Sequence, residues 1–500
     1  MARETSAPSE DKTDRLVTQA VEAVDGTGDQ FAMFAFLLAA GVIFHQALLG
    51  DWQVLSPHAA ATIAAIWTLF RPRSVFRFVV LLVAVLVVWA VDMPAVVNHW
   101  MLMGLAILGA FVALAWGAAN GHSRMFEPGA LFTRLAPYFR ILVLLVYVFA
   151  AFAKVNDSFL DPELSCGVAM YQQLLERLRL PLYAEWQQPF AIYGTIAVEA
   201  AIPVLLAVPR MRMLGVVVGV GFHIMLGVAG HIPFSGFALA FYSLFLPDDV
   251  PARVYRLLSA RERVATAVGR AVAIARQPWA FPSSVAAFLI LAAAITYGPW
   301  PSFEANAERA VQLAFLAYAA VLVGIAGVLL WRGRFQYRPG FFRLAHGIWV
   351  LGPALVVLNG VSPYLGLKTQ STFTMYSNLQ TEADRWNHRI LPQEIQLFGL
   401  QDELVRVVDV DDPVLAPYAG SDTELVLFRV QSLAQDRPDT RLVYATDAAT
   451  RTVEQIGDDP TFGRMENVLL RKVLLFRDVP LQEENSCRTL RIVRGPEQGS

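Results

Sequence analysis

Charged residues are scarce in this chain: they make up 16% of its 500 residues, against 56% apolar ones, and the mean hydropathy is +0.46. Soluble domains carry roughly 25% charged residues, so this balance excludes an ordinary soluble enzyme and points to the membrane class. A strong charge of one sign is also missing. The formal net charge is −2, and the basic residues are scattered through short loops, which leaves no basic face for nucleic acid. Cysteine is nearly absent. Cys166 and Cys487 are too few for a disulfide framework or a cysteine-based zinc site, and allow one bridge at most. Walker, GxGxxG, GxSxG and HExxH motifs do not occur, and the scattered histidines form no i,i+4 ligand pair, so no dedicated metal centre is expected.

Long apolar runs, by contrast, are abundant. A bilayer core of about 30 Å requires roughly 20 apolar residues per helix. Eleven runs approach that length: 31–49, 57–70, 76–92, 98–119, 135–154, 186–208, 213–230, 233–246, 282–298, 310–330 and 342–365. The runs 57–70 and 233–246 are short, as a re-entrant segment would be. Arginines collect in alternate loops, at Arg71, Arg73 and Arg77, at Arg124 and Arg134, at Arg210 and Arg212, and again over 253–276 and 332–338. Cytoplasmic loops gather Lys and Arg, so these loops and the tail carrying Arg3, Lys12 and Arg15 are assigned to the cytoplasm.

The expected architecture is mainly α: a polytopic transmembrane helix bundle of about eleven spans with a C-terminal extracytoplasmic α+β domain, in a cell membrane. Its divisions are a cytoplasmic polar tail over 1–29, a transmembrane core over 30–250, a cytoplasmic loop over 251–281, additional transmembrane helices over 282–367 and the soluble domain over 368–500. Strands are expected at Glu424–Val430, Arg441–Ala445 and Thr489–Val493, between turns rich in Asp, Gly and Pro. This topology puts Cys166 and Cys487 in one oxidising compartment. A Cys166–Cys487 disulfide and two unrelated free cysteines both remain open, since sequence does not say whether their Cα atoms approach within about 7 Å.

Ionisable residues at membrane depth are costly, and are kept for function or for pairing. Lys154 closes the nearly uncharged run Ile141–Ala153. It reads either as a lysine snorkelling to the interface or, if buried, as a base. Asn98 and His99 open the fourth span on the same side, which could set an imidazole beside Lys154 to relay its proton; the plainer reading of His99 is a helix cap at the headgroups. Glu199 and His223 lie deep in the sixth and seventh spans, need partners there and could satisfy each other. Arg140 reads as an interfacial anchor.

These residues also coincide with the landmarks of a family. Asn98-His99-Trp100, the segment from Phe149 to Asn156, Glu199, Phe222-His223-Ile224-Met225 and Phe234-Ser235-Gly236 occur in the order and spacing found there. Over roughly residues 30–250 the chain resembles a bacterial member of the HTTM superfamily, the membrane domain shared with vitamin K-dependent gamma-carboxylases. The resemblance implies Lys154 as a base that deprotonates a reduced quinone, vitamin K hydroquinone or menaquinol, with His99 assisting and Asn98, Asn156, Glu199 and His223 supporting. It further implies partners in the lipid bilayer, a lipid-soluble quinone and an extracytoplasmic protein substrate. Asn156 stands where carboxylases commonly have an aspartate, and the segment Pro162–Cys166 replaces a tryptophan-containing one. The reading from another class is a non-catalytic membrane scaffold or a small-molecule transport protein.

Overall fold

The computed structural model describes residues 26–121, 126–180, 183–260, 262–297, 302–331, 335, 337–435, 437–446, 449–462 and 468–481. Most of the polar tail, Cys487 and the strand expected at Thr489–Val493 lie outside the described residues.

In chain order the long helices are α1 (Gly26–Leu49), α2 (Pro57–Phe70), α3 (Val75–Asp92), α4 (Asn98–Ala119) and α5 (Pro128–Ala153). The short α6 (Asp157–Leu160) and α7 (Cys166–Arg177) precede α8 (Gln188–Ala207), α9 (Arg212–Val228) and α10 (Ile232–Tyr242). Then come α11 (Val250–Ser259), α12 (Glu262–Ala275), α13 (Ala280–Tyr297), α14 (Ser302–Trp331) and α15 (Leu351–Val361). Stretches such as Val75–Val91 are rich in β-branched residues that favour strands in water. In hydrocarbon the backbone must satisfy its own hydrogen bonds, which overrides that preference and makes them helices.

Six described helices are long and apolar enough to cross a bilayer, or seven if the pair α12–α13, bent by 80°, counts as one span. The protein is thus mainly helical with several candidate membrane spans, while α2, α9, α10 and α15 fall short of that length. A rise of about 1.5 Å per residue explains why these four of the eleven expected spans do not reach across ~30 Å as straight helices. The connection over 251–281 is itself largely helical, through α11 and α12.

The chain divides into two compact units. In the first, made of the described residues within 1–84, 113–140 and 231–347, α1 packs on α2 and α10. Gly41 and Gly236 let α1 and α10 touch backbone to backbone: a Cβ on Gly41 would meet Gly236 C at 3.1 Å, and one on Gly236 would meet Gly41 Cα at 3.3 Å. Small residues at such crossings are how helices approach closely in lipid. Arg140 is no surface anchor here. It is buried, with Nε donating to Leu244 O (2.7 Å), Nη1 donating to Phe341 O (2.8 Å) and the guanidinium over the Phe341 ring.

The second unit is made of the described residues within 85–112, 141–230 and 348–500. Its helices α8 and α9 form an antiparallel pair, and Arg212 at the start of α9 donates to Leu206 O (2.8 Å) and Ala207 O (3.2 Å), carbonyls left open at the end of α8. Beyond α15 a long irregular segment leads to a small antiparallel sheet of order β4-β3-β1-β2-β5. The strands are β1 (Leu404–Val410), β2 (Thr423–Val426), β3 (Leu442–Ala445), β4 (Thr450–Val453) and β5 (Val479–Pro480), with α16 (Leu427–Ala434) and α17 (Val468–Val473) beside them. Alternating residues Val405, Val407, Leu425, Leu442 and Tyr444 join Ile456 and Phe462 in its core. The strand expected over Glu424–Val430 turns helical at Leu427, which lets Phe428 pack on Phe476 while Val430 faces the sheet core. The sheet itself begins only at Leu404; residues 368–403 have another role.

Candidate functional site

Helix α5 ends just before Lys154. The Lys154 and Val155 amides turn back to Ala151 O (3.2 Å) and Phe152 O (3.1 Å), tightening the last turn. Asn156 is then extended, at φ −141 and ψ 163, and its Oδ1 accepts the Phe159 N–H (2.8 Å), capping α6. In that extended stretch it pairs antiparallel with His388, through Arg389 N–H to Val155 O (3.1 Å) and Asp157 N–H to Asn387 O (3.0 Å).

The Lys154 side chain leaves this helix end inward and is 2% exposed, which removes the snorkelling reading. Its Nζ lies 2.8 Å from Glu199 Oε2 on α8, and donates to Met375 O (3.2 Å) and Ala150 O (3.3 Å). The Phe159 ring is 5.8 Å from the ammonium, centroid to nitrogen. The contact with Glu199 has the distance of an ion pair but not the alignment of a hydrogen bond, and Oε2 is buried without a hydrogen-bond partner. A charge buried here depends on its partner, because desolvation costs several kcal/mol per ion.

The Met375 carbonyl is delivered by an unusual segment. Ser371, Phe373, Tyr376 and Asn378 all have positive φ, at 60, 63, 53 and 54°. Left-handed backbone costs a non-glycine residue about 1–2 kcal/mol, and persists when surroundings over-determine it. Here Ser371 Oγ donates to Val96 O, Asn359 Nδ2 donates to Ser371 O (2.8 Å), and the Phe373 N–H donates to Asn98 Oδ1 (2.7 Å). Asn378 Nδ2 donates to Leu164 O (3.0 Å), while its Oδ1 accepts the Cys166 N–H (2.8 Å). The segment 371–378 is stitched to the beginnings of α4 and α7, with its middle on Lys154.

Asn156 and Asn387 bind the same layer. Asn156 is fully buried and its Nδ2 donates to Ala153 O (2.7 Å) and Ser377 O (2.6 Å). Asn387 Nδ2 donates to Ser158 Oγ (2.9 Å), to Asn378 O (2.9 Å) and, at 3.4 Å, to Asn156 Oδ1. His388 accepts the Ile390 (3.2 Å) and Leu391 (3.0 Å) N–H groups at Nδ1, so its proton sits on Nε2, 3.1 Å from Phe152 O. Burial lowers its pKa and outweighs the Phe152 hydrogen bond, which raises it, so the imidazole is held neutral and acts as a structural group.

Of the residues expected at the site, Lys154, Glu199, Asn98 and Asn156 thus meet around one loop. His99 stands half-buried in the first turn of α4 and is not a hydrogen-bond partner of the Lys154 ammonium, whose surroundings are taken by Met375, Ala150 and Glu199. Of the partners open to Glu199 and His223, Glu199 meets Lys154, and His223 Nε2 lies 2.5 Å from the Tyr147 hydroxyl. Tyr147 precedes Lys154 by two helical turns on one face of α5, a spacing visible in the sequence. Met375 and Asn387 follow the composition change near Lys368, where no apolar run makes a polar residue stand out, and His388 counts there only among the scattered histidines. Cys166 is buried at the start of α7, and no cysteine among the described residues is a free thiol; Cys487, its partner in one of the two readings left open, lies outside them. Among the described residues no group of three or more His, Cys, Asp or Glu is placed to hold a metal ion.

No family model, curated protein or solved structure matches this chain.

Proposed function

We propose that this chain is a cell-membrane enzyme of the HTTM type in which Lys154, coupled to Glu199, removes a proton from a reduced quinone or another lipid-soluble hydroxyl compound. The supporting observation is the buried Lys154–Glu199 pair at 2.8 Å, with its unbonded carboxylate oxygen. Two charges of opposite sign held together can exchange one proton internally and become neutral, which a lone buried lysine cannot do. Glu199 takes a proton from the ammonium, and the amine so formed accepts the proton of the bound hydroxyl group. A reduced quinone, vitamin K hydroquinone or menaquinol, would supply that hydroxyl and its reducing equivalents. In this reading the N-terminus is cytoplasmic, and the residues after α15 are extracytoplasmic.

The test is turnover of vitamin K hydroquinone or menaquinol with oxygen by the protein in lipid, comparing wild type with Lys154→Ala and Glu199→Gln variants of matched folding. Epoxide formed by the wild type and lost in both variants is the expected result. Absence of epoxide from the wild type would sink the quinone chemistry. One observation favours the scaffold reading: the ammonium joins the end of α5, helix α8 and the 371–378 loop in one contact set, as a purely structural latch would. That reading predicts that both variants lose stability and no substrate turns over.

A further inference from the structure

The region beyond α15 carries two apolar surfaces that its own core does not use. The first is α17. Leu469 is 69% exposed, and Leu470 and Val473 are exposed with it; spacings of three and four residues set them on one side of the helix. Leu474 and Phe476, just beyond, turn the other way and pack on Phe428. The second surface is the turn over 390–398, where Leu397 is 73% exposed and Ile390 and Phe398 are also open.

Both surfaces are tied to the ends of apolar helices, the span-length α3 and the shorter α15. Lys472 Nζ donates to Met93 O (3.0 Å), and Met93 follows directly on the last residue of α3. The Leu397 and Phe398 N–H groups both donate to Leu365 O, at 3.2 and 3.1 Å, four residues past α15. Gly366, at φ 76, is what allows this approach, because a side chain there would collide with Phe398 O. Residues at the ends of spans lie at the level of the headgroups, where apolar side chains enter the acyl boundary and lysines reach outward.

We propose that these two surfaces, Leu469, Leu470 and Val473 on α17 and Ile390, Leu397 and Phe398 on the 390–398 turn, are seated in the lipid leaflet. The C-terminal region is then held to the bilayer by its own apolar rim as well as by the chain entering it. The occupant is lipid because both surfaces join the ends of apolar helices whose outer faces stay open there, at Val87 and Val91 on α3 and at Leu358 on α15. The inference rests on the membrane reading of the helices and not on any chemistry at Lys154.

The experiment uses the full chain in phosphatidylcholine vesicles, plain or brominated on the acyl chain near the headgroup. Leu397→Cys and Leu469→Cys variants, and Thr452→Cys on the exposed strand β4 as reference, each carry an environment-sensitive fluorophore. Flotation of every variant with the vesicles after an alkaline carbonate wash tests the membrane reading separately. The expected result is quenching by brominated lipid at 397 and 469, about twofold or more, with none at 452 and with iodide quenching only at 452. Iodide quenching without lipid quenching at 397 and 469 would place both in water and overturn the proposal. Protection from both quenchers would mean protein cover, such as a second copy, and would overturn it too. Lipid quenching at one position alone would refute the seating of both surfaces.

Discussion

Lys154 Nζ and Glu199 Oε2 stand 2.8 Å apart, with both side chains withdrawn from solvent, and join the end of α5 to the middle of α8. A buried pair of this kind is worth little against well-packed apolar residues, but breaking it leaves one charge stranded. Lys154→Met and Glu199→Gln are therefore each expected to cost about 3–5 kcal/mol, and the double variant to recover a large part of the loss. Thermal unfolding of the four proteins in one lipid-detergent mixture measures the coupling. Simple additivity would show that the two charges do not stabilise each other.

Asn156 offers two N–H donors to carbonyls in the protein interior, at Ala153 (2.7 Å) and Ser377 (2.6 Å). An aspartate at this position donates nothing and brings a charge. Asn156→Asp is expected to destabilise by about 2–4 kcal/mol through two unsatisfied carbonyls and a desolvated carboxylate. Limited proteolysis should detect release of the 371–389 segment in the variant before any loss of the helical bundle, and equal resistance of the two proteins would refute this account.

Lys368 is 4% exposed, and burial lowers its pKa to about 8 from an ordinary 10.5. Below about pH 8 both folded and unfolded chains hold this proton, and the folded state bears the full cost of burying the charge. Between about 8 and 10.5 the unfolded chain still holds the proton that the folded chain has released, so stability rises with pH. Lys368→Met should remove that slope and stabilise the protein at pH 7 by up to about 3 kcal/mol. Denaturant unfolding at several pH values reads both effects, and an unchanged slope in the variant would assign it to another group.

Glu382 is gripped by Arg477, Nε to Oε1 at 2.7 Å and Nη2 to Oε2 at 2.6 Å. Burial by itself would raise this carboxyl, but the Arg477 charge and hydrogen bonds, with those of Thr381 and Thr369, hold it below the ordinary 4.5. The stability it contributes is present above about pH 4.5 and is lost as pH falls through the lower folded value. Arg477→Met is expected to cost about 3–5 kcal/mol at neutral pH and to flatten the acid limb, and Arg477→Lys to restore little, since an ammonium cannot reproduce the fork. Acid titration of unfolding in the three proteins checks this, and full recovery with lysine would mean that charge alone suffices.

The site was partly legible before folding. Lys154, Glu199, His223, Asn98 and Asn156 stand out because a polar side chain inside or at the edge of an apolar run demands an explanation. Their pairing was not legible. Helical spacing relates neighbours on one helix, as for Tyr147 and Lys154, but nothing in a one-dimensional pattern says that Glu199 faces Lys154 rather than His223. The strand end at Leu427 was equally hidden, since β-branched and aromatic residues suit a strand and a buried helix alike.

The sequence by itself determined that this is a chain of many apolar helices followed by a small sheet-forming region, because solvent preference and backbone hydrogen bonding act residue by residue and sum along a run. Only the tertiary structure decided what Lys154 meets. Its carbonyl partner Met375 lies 221 positions away, in a segment whose left-handed residues are held by contacts from distant helix ends. Such a contact exists because packing closes a loop that no local propensity describes.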